Sequence, residues 1–216
     1  ITNEPGSHFV QISPNGNYII DSYSSLEVPR IVKRKSLISG KEVLIYSSEN
    51  PIESYQLGTT EFVTLKNKEG TDLYGRIIKP ANFDEQKKYP VLVYVYGGPH
   101  AQMVTNSWLG GSNLWMQWMA AEQDYIVFTL DNRGSAHRGF EFESSIFRNL
   151  GDIEMKDQIL GLDYLKSLNC VDTNRLAVHG WSYGGFMTTS FMTRYPGLFD
   201  VGVAGGPVID WKWYEV

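Results

Sequence analysis

The 216-residue chain carries a formal net charge of −5, with 42% hydrophobic and 13% aromatic residues. Such a composition can bury a real core, and the acidic balance argues against nucleic acid or an acidic membrane surface as the natural partner. No run of about 18 apolar residues exists to span a membrane, and the single cysteine, Cys170, cannot form an intrachain disulfide.

Residues 1–57 read as β structure. "HFVQISPNGNYIIDSYSS" sets two roughly alternating runs around the turn Ser13-Pro14-Asn15-Gly16, and "RIVKRKSLISGKEVLIYSSEN" repeats the plan around Ser39-Gly40. Four short, evenly spaced strands with polar turns have the pattern of one propeller blade. One blade cannot bury both faces alone, so further blades are expected upstream; a small β-meander packed on the main domain is the other reading. The absence of an initiator methionine at Ile1 also suggests a chain that begins mid-protein, and "ITNEPGSHFV" has neither the basic nor the apolar region of a signal peptide.

From residue 58 the pattern changes. "TEFVTLKNKEGTDLYGRIIKP" is a hairpin turning at Lys68-Glu69-Gly70, and "VLVYVY" (91–96) is a strand apolar on both faces. A helix is expected over 112–123, and "YIVFTLD" follows as a second buried strand. Met155, Ile159, Leu162 and Leu165 recur at helical spacing within 152–168, with Asp157 and Lys166 on the other side. "RLAVHG" is a third buried strand, and "GGFMTTSFMTRY" a third helix. Alternating strands and helices imply an α/β fold with a parallel sheet and helices on both faces. No metal-ligand spacing is present.

The segment "RLAVHGWSYGGFMTT" carries the chemistry. Gly180-Trp181-Ser182-Tyr183-Gly184 fits G-x-S-x-G, a weak signal alone, but a buried strand precedes it and a helix follows. That context is the nucleophile elbow: the serine sits on a strained turn, and the flanking glycines let strand and helix approach closely. Gly185 widens the clearance. A glycine-rich strand–helix turn around a buried serine is the plainer alternative. A nucleophilic Ser182 needs two oxyanion donors. One is the backbone N–H of Tyr183; the other is either an amide of Gly97-Gly98 or the phenol of Tyr96, in the loop that closes strand 91–96. Without the elbow, Tyr96 reads as a strand-end core aromatic.

The motifs "GWSYGG", "VYGGP", "DNRGS" and "GVAGGPVIDWKWYE" resemble the prolyl oligopeptidase family of serine peptidases, within it the dipeptidyl peptidase IV branch, and most nearly the bacterial prolyl tripeptidyl aminopeptidases. The resemblance implies residues 1–57 as the end of a β-propeller domain and 58–216 as the N-terminal part of an α/β-hydrolase catalytic domain. It implies cleavage after proline, two or three residues from a free N-terminus, with no cofactor. By position it makes Ser182 the nucleophile, Tyr96 and Tyr183 the oxyanion hole, and Val208, Trp211 and Tyr214, beside the Tyr183 ring, the walls of a proline pocket. Flat, rigid aromatic surfaces suit a pyrrolidine ring. The same resemblance suggests a periplasmic or cell-envelope location and allows a homodimer of the intact enzyme.

Hydrolases with this elbow order their triad serine, acid, histidine along the chain. After Ser182 come Asp200, Asp210 and Glu215 but no histidine; His8, His100, His137 and His179 all precede it. His179, on the strand before the serine, is expected to pack or bond locally, and Asp200 to support a turn. The resemblance therefore places the acid and the base after residue 216, on the order of 100 residues further on, and the isolated chain is expected to be inactive. An acyl-peptide hydrolase or esterase on the same fold, or a non-catalytic interaction module, are the alternatives.

Overall fold

The structure, a computed structural model, describes residues 1–213. It divides into two compact units: Ile1–Gln56 with Thr105–Asn113, and Leu57–Val104 with the chain from Leu114 onward.

The first unit is a four-stranded antiparallel sheet in simple chain order, β1 (Ser7–Ile12), β2 (Tyr18–Ser25), β3 (Val28–Ser36) and β4 (Glu42–Ser47). Gly16 and Gly40 turn two of its hairpins with φ of 70° and 72°, a region that glycine enters without steric cost. The segment 105–113, which nothing in its sequence assigns to this unit, is stitched to it by hydrogen bonds. Trp108 N–H donates to Ser24 Oγ, Leu26 N–H to Asn106 Oδ1, and Ser7 Oγ to the Asn106 carbonyl.

His8 anchors the start of this sheet. Its Nε2–H donates to the Glu4 carbonyl at 2.9 Å, and Nδ1 lies 2.9 Å from the Asp21 carboxylate. Both ring nitrogens thus face acceptors, which favours the imidazolium. Burial opposes that charge, but the Glu4 carbonyl and Asp21 outweigh it and raise the pKa above the usual 6.5. A raised folded-state pKa gives stability that is fully present below about pH 6.5 and is lost as pH climbs through the folded value. Hydrogen exchange of the β1–β2 amides should therefore quicken as pH rises past neutrality, beyond the intrinsic base catalysis of exchange. Asp21→Asn should remove that extra dependence.

The second unit is built on a six-stranded sheet of order β10-β9-β7-β8-β6-β5. The strands are β5 (Thr59–Lys66), β6 (Asp72–Lys79), β7 (Tyr89–Tyr94), β8 (Ile126–Asp131), β9 (Val171–Trp181) and β10 (Val201–Gly205). β7 through β10 run parallel, but β6 joins β8 antiparallel and brings β5 with it. The sheet is thus mixed: the hairpin expected from sequence extends it instead of standing apart.

Among the described residues, four α-helices complete the unit: α1 (Leu114–Gln123), α2 (Phe140–Ser144), α3 (Ile153–Ser167) and α4 (Tyr183–Arg194). Successive strand residues feed two apolar clusters. Val91, Val93, Ile77 and Phe128 join Met155, Leu162, Leu165, Met187 and Phe191 from α3 and α4. Leu92, Ile78 and Val127 join Met116 and Ala120 from α1. Because strand side chains alternate between faces, this partition puts α3 and α4 on one side of the sheet and α1 on the other.

The polar side of α3 departs from expectation. Asp157 is 2% exposed, because its carboxylate receives Arg133 Nε at 2.9 Å, Arg133 Nη2 at 2.8 Å and the Arg133 amide at 2.9 Å. Glu154 and Gln158 are buried beside it. Helical spacing identifies the apolar stripe but does not reveal that polar residues next to it meet partners from a loop.

Candidate active site

Between β9 and α4 the backbone turns sharply at Ser182, with φ 58° and ψ −115°. A side-chain-bearing residue is held in such a region only when its surroundings over-determine it. Here they do. Ser182 N–H donates to the Gly205 carbonyl at 2.8 Å, and the Ser182 carbonyl accepts Phe186 N–H at 3.1 Å.

The glycines around it have no room for side chains. A Cβ on Gly180 would lie 2.4 Å from the carbonyl oxygens of Val95 and Gly184; on Gly184, 2.2 Å from Val95 O; on Gly185, 2.6 Å from Gly205 O. All these obstacles are backbone, which cannot step aside. The ends of β7 and β10 therefore press on the elbow from two sides. Val95 N–H donates to the His179 carbonyl at 2.9 Å and extends the β7–β9 pairing up to the turn. Helix α4 starts at Tyr183, whose N–H is among those that point out of a helix's N-terminal end. It stops at Arg194, before Tyr195-Pro196 and Gly197 at φ 86°.

Aromatic rings gather beside this turn. The Tyr183 ring has its centroid 6.2 Å from Tyr96, 5.3 Å from Phe186 and 5.5 Å from Trp211. Gly98 makes the approach of Tyr96 and Tyr183 feasible: its Cβ would lie 2.8 Å from an atom of each ring. Val208 is half-buried between β10 and the short 3-10 helix Trp211–Trp213. Tyr214 lies outside the described residues.

The loop carrying Tyr96 is braced from below. Asn132, fully buried, donates from Nδ2 to the Gly97 carbonyl at 3.0 Å and accepts Gln158 Nε2 at 2.9 Å. Gln158 also donates to the Leu130 carbonyl at 2.8 Å.

No histidine is hydrogen-bonded to the Ser182 side chain among the described residues. His179 turns to the α1 side of the sheet, against Tyr94 and Trp115, and donates Nδ1–H to Val203 O at 2.8 Å. His100 pairs with Glu143, His8 belongs to the first unit, and His137 is exposed on a loop. Asp200, expected to support a turn, instead caps the start of the β9–β10 pairing: it accepts Leu176 N–H on Oδ2 and donates its own N–H to Leu176 O. No cluster of three or more His, Cys, Asp or Glu able to hold a metal occurs among the described residues. No helix among them is long and apolar enough to cross a membrane.

Comparison with known proteins decides what this arrangement belongs to. The model of the prolyl oligopeptidase family matches residues 112–216. Over its whole length the chain is 33% identical to human dipeptidyl peptidase 8, covering 25% of that protein. It is 31% identical, over 98% of its length, to dipeptidyl peptidase 4 of Trichophyton equinum, covering 28% of it. The chain belongs to the prolyl oligopeptidase family. Two solved structures superpose on 96% of it. One, from Bacteroides ovatus and assigned as a dipeptidyl aminopeptidase IV, gives a TM-score of 0.92 at 51% identity, with 30% of that chain covered. The other, Porphyromonas gingivalis dipeptidyl peptidase 4, gives 0.88 at 32% identity, with 29% covered. The chain thus spans a quarter to under a third of these family members.

Of the residues singled out from sequence, Ser182, Tyr183, Tyr96, Trp211 and the three elbow glycines converge on one place. Asn132, Gln158 and Glu154 also meet there and were not foreseen. Asn132 lies inside the "DNRGS" motif, a hint that something there is held. Gln158 falls within the arc of the apolar stripe of α3 and Glu154 at its edge, a placement that is consistent with burial but does not name their partners.

Proposed function

We propose that Ser182 is the nucleophile of a serine exopeptidase that releases N-terminal dipeptides after proline. The observation that carries this is the backbone of Ser182, held at φ 58° between a buried strand and the first residue of α4. Strain of this kind costs about 1–3 kcal/mol and is kept where it presents a reactive group. The relatives named above are all called dipeptidyl peptidases or dipeptidyl aminopeptidases, which favours dipeptide over tripeptide release.

In this reading Ser182 Oγ attacks the carbonyl that follows proline while its proton passes to a histidine. The oxyanion is met by the Tyr183 N–H and the Tyr96 phenol. Collapse of the tetrahedral intermediate expels the downstream amine, which takes the proton from histidine, and water then hydrolyses the ester. The histidine and acid are assigned to sequence after residue 216, following the order serine, acid, histidine. The engagement of His8, His100 and His179 elsewhere supports this. Tyr183, Trp211, Val208 and Tyr214 wall the proline pocket. Residues 1–57 are read as the end of a β-propeller and 58–216 as the first part of an α/β-hydrolase domain.

The full-length protein should therefore turn over free-amine Xaa-Pro substrates and leave their N-acetylated counterparts untouched. Residues 1–216 alone should show no turnover, since a serine without its base loses several orders of magnitude in rate. Preference for the acetylated substrate would assign an acyl-peptide hydrolase instead. Turnover by the isolated chain would refute the assignment of the base.

A further inference from the structure

Among the buried carboxyl groups that the proposed chemistry leaves unused, one bonds to a residue of the proposed pocket. Glu154, in the first turn of α3, has no exposed surface. Both its oxygens accept Gly151 N–H at 3.0 Å, and Oε1 also accepts the Tyr183 hydroxyl at 2.5 Å. Acidic side chains are almost never taken wholly out of water unless they are held by partners, and Glu154's partners converge on α4.

Gly151 is itself fixed. Its φ is 82°, the space of its missing Cβ lies 2.7 Å from Phe186 Cζ, and its carbonyl accepts Arg194 Nη1 at 2.5 Å. The Gly151–Glu154 turn therefore grips α4 at Tyr183, its first residue, and at Arg194, its last. The flanks of the Tyr183 ring are set by Trp211, Phe186 and Tyr96. Ring contacts alone define a slot in which a phenyl group can still slide and tilt, since they are not directional. The hydroxyl–carboxyl bond adds the directional constraint at the far end of the ring.

Building on the reading of Tyr183 as a wall of the proline pocket, we infer that Glu154 is a positioning residue for substrate selectivity. By holding the Tyr183 hydroxyl it fixes the ring face against which a proline side chain packs. Loss of the bond should blur the fit for proline more than for alanine, which fills less of the pocket. A pocket of this kind discriminates substrates differing by a few methylene groups by about 10–200-fold, so there is a ratio to lose.

The test compares Gly-Pro and Gly-Ala p-nitroanilides with the full-length protein carrying Tyr183→Phe, Glu154→Gln or Glu154→Ala. Tyr183→Phe and Glu154→Ala should each lower the Pro:Ala ratio of kcat/KM roughly 10-fold. The double variant should fall no further, because both changes remove one bond. Glu154→Gln keeps an acceptor oxygen and should hold the ratio within about 3-fold of the parent. A carboxyl that serves only folding would reduce both substrates equally and leave the ratio where it was. An unchanged ratio in Tyr183→Phe, which deletes one oxygen and no packing, overturns the inference even if Glu154→Ala does not fold. Fluorophosphonate labelling separates the two levels. A labelled parent with an unchanged ratio sinks the role of Glu154 alone, whereas an unlabelled, inactive parent sinks the peptidase reading together with it.

Discussion

Replacing Ser182 with glycine in the full-length protein should abolish peptidase turnover and make the catalytic unit more stable. The rate loss is expected to be about 10⁴–10⁶-fold, the size seen when a serine hydrolase loses its nucleophile. The stability gain follows from the backbone. At φ 58° and ψ −115° Ser182 carries strain, on the order of 1–3 kcal/mol, that glycine does not feel. Part of this is returned because glycine gains freedom in the unfolded chain, leaving a net gain of about 1 kcal/mol. Ser182→Ala should be equally inactive without the gain, since alanine keeps the Cβ. Parallel thermal melts and turnover assays of the two variants read this difference directly. Opposite movements of stability and activity at one residue mark a site shaped by function.

Asp131→Ala should destabilise the unit by about 3–5 kcal/mol, the usual effect of removing one member of a buried charge group. Asp131 closes β8 and is 2% exposed. Its oxygens accept the amides of Met103 and Val104 at 2.8 and 3.1 Å, and Arg138 Nη2 stands 3.5 Å away. Arg76, 1% exposed on β6, is the nearby buried cation; it donates to the Met103 carbonyl at 3.0 Å and to Thr129 Oγ1 at 3.1 Å. Burial raises the Asp131 pKa against the pull of those amides and guanidinium groups, and it lowers that of Arg76 to about 10. Deleting the carboxylate strips the Met103 and Val104 amides of their acceptor and removes the counter-group of Arg138 beside the buried Arg76. Asp131→Asn, which keeps an acceptor for one amide, should cost less. Differential scanning calorimetry of the full-length variants would rank them.

Sequence periodicity located β7, β8 and β9 as compact apolar runs and α1, α3 and α4 as the longer segments between and after them, whereas the five-residue α2 offered no such pattern. The elbow was legible for a different reason. Three glycines around one serine make sense only where backbone approaches backbone, and Val95 O and Gly205 O stand against the three positions concerned. What remained hidden was pairing at a distance. Arg133 reaches Asp157 across 24 residues and Tyr183 reaches Glu154 across 29. Nothing in a helical pattern says that an acidic residue beside the stripe will meet a loop arginine or a tyrosine hydroxyl. The antiparallel docking of β6 on β8 was hidden likewise, because a hairpin pattern fixes its own register but not its neighbour. Segment 105–113 was a third case, since its tie to the first sheet runs through side chains such as Ser24 and Asn106.

The account rests on one hydroxyl made reactive by the bend that carries it. Treating the full-length protein with a fluorophosphonate probe and mapping the adduct by peptide mass spectrometry tests this directly. The adduct is expected on Ser182 alone, at a rate that falls to background in Ser182→Ala. An active protein whose adduct maps to another residue, or whose labelling survives that substitution, would contradict it.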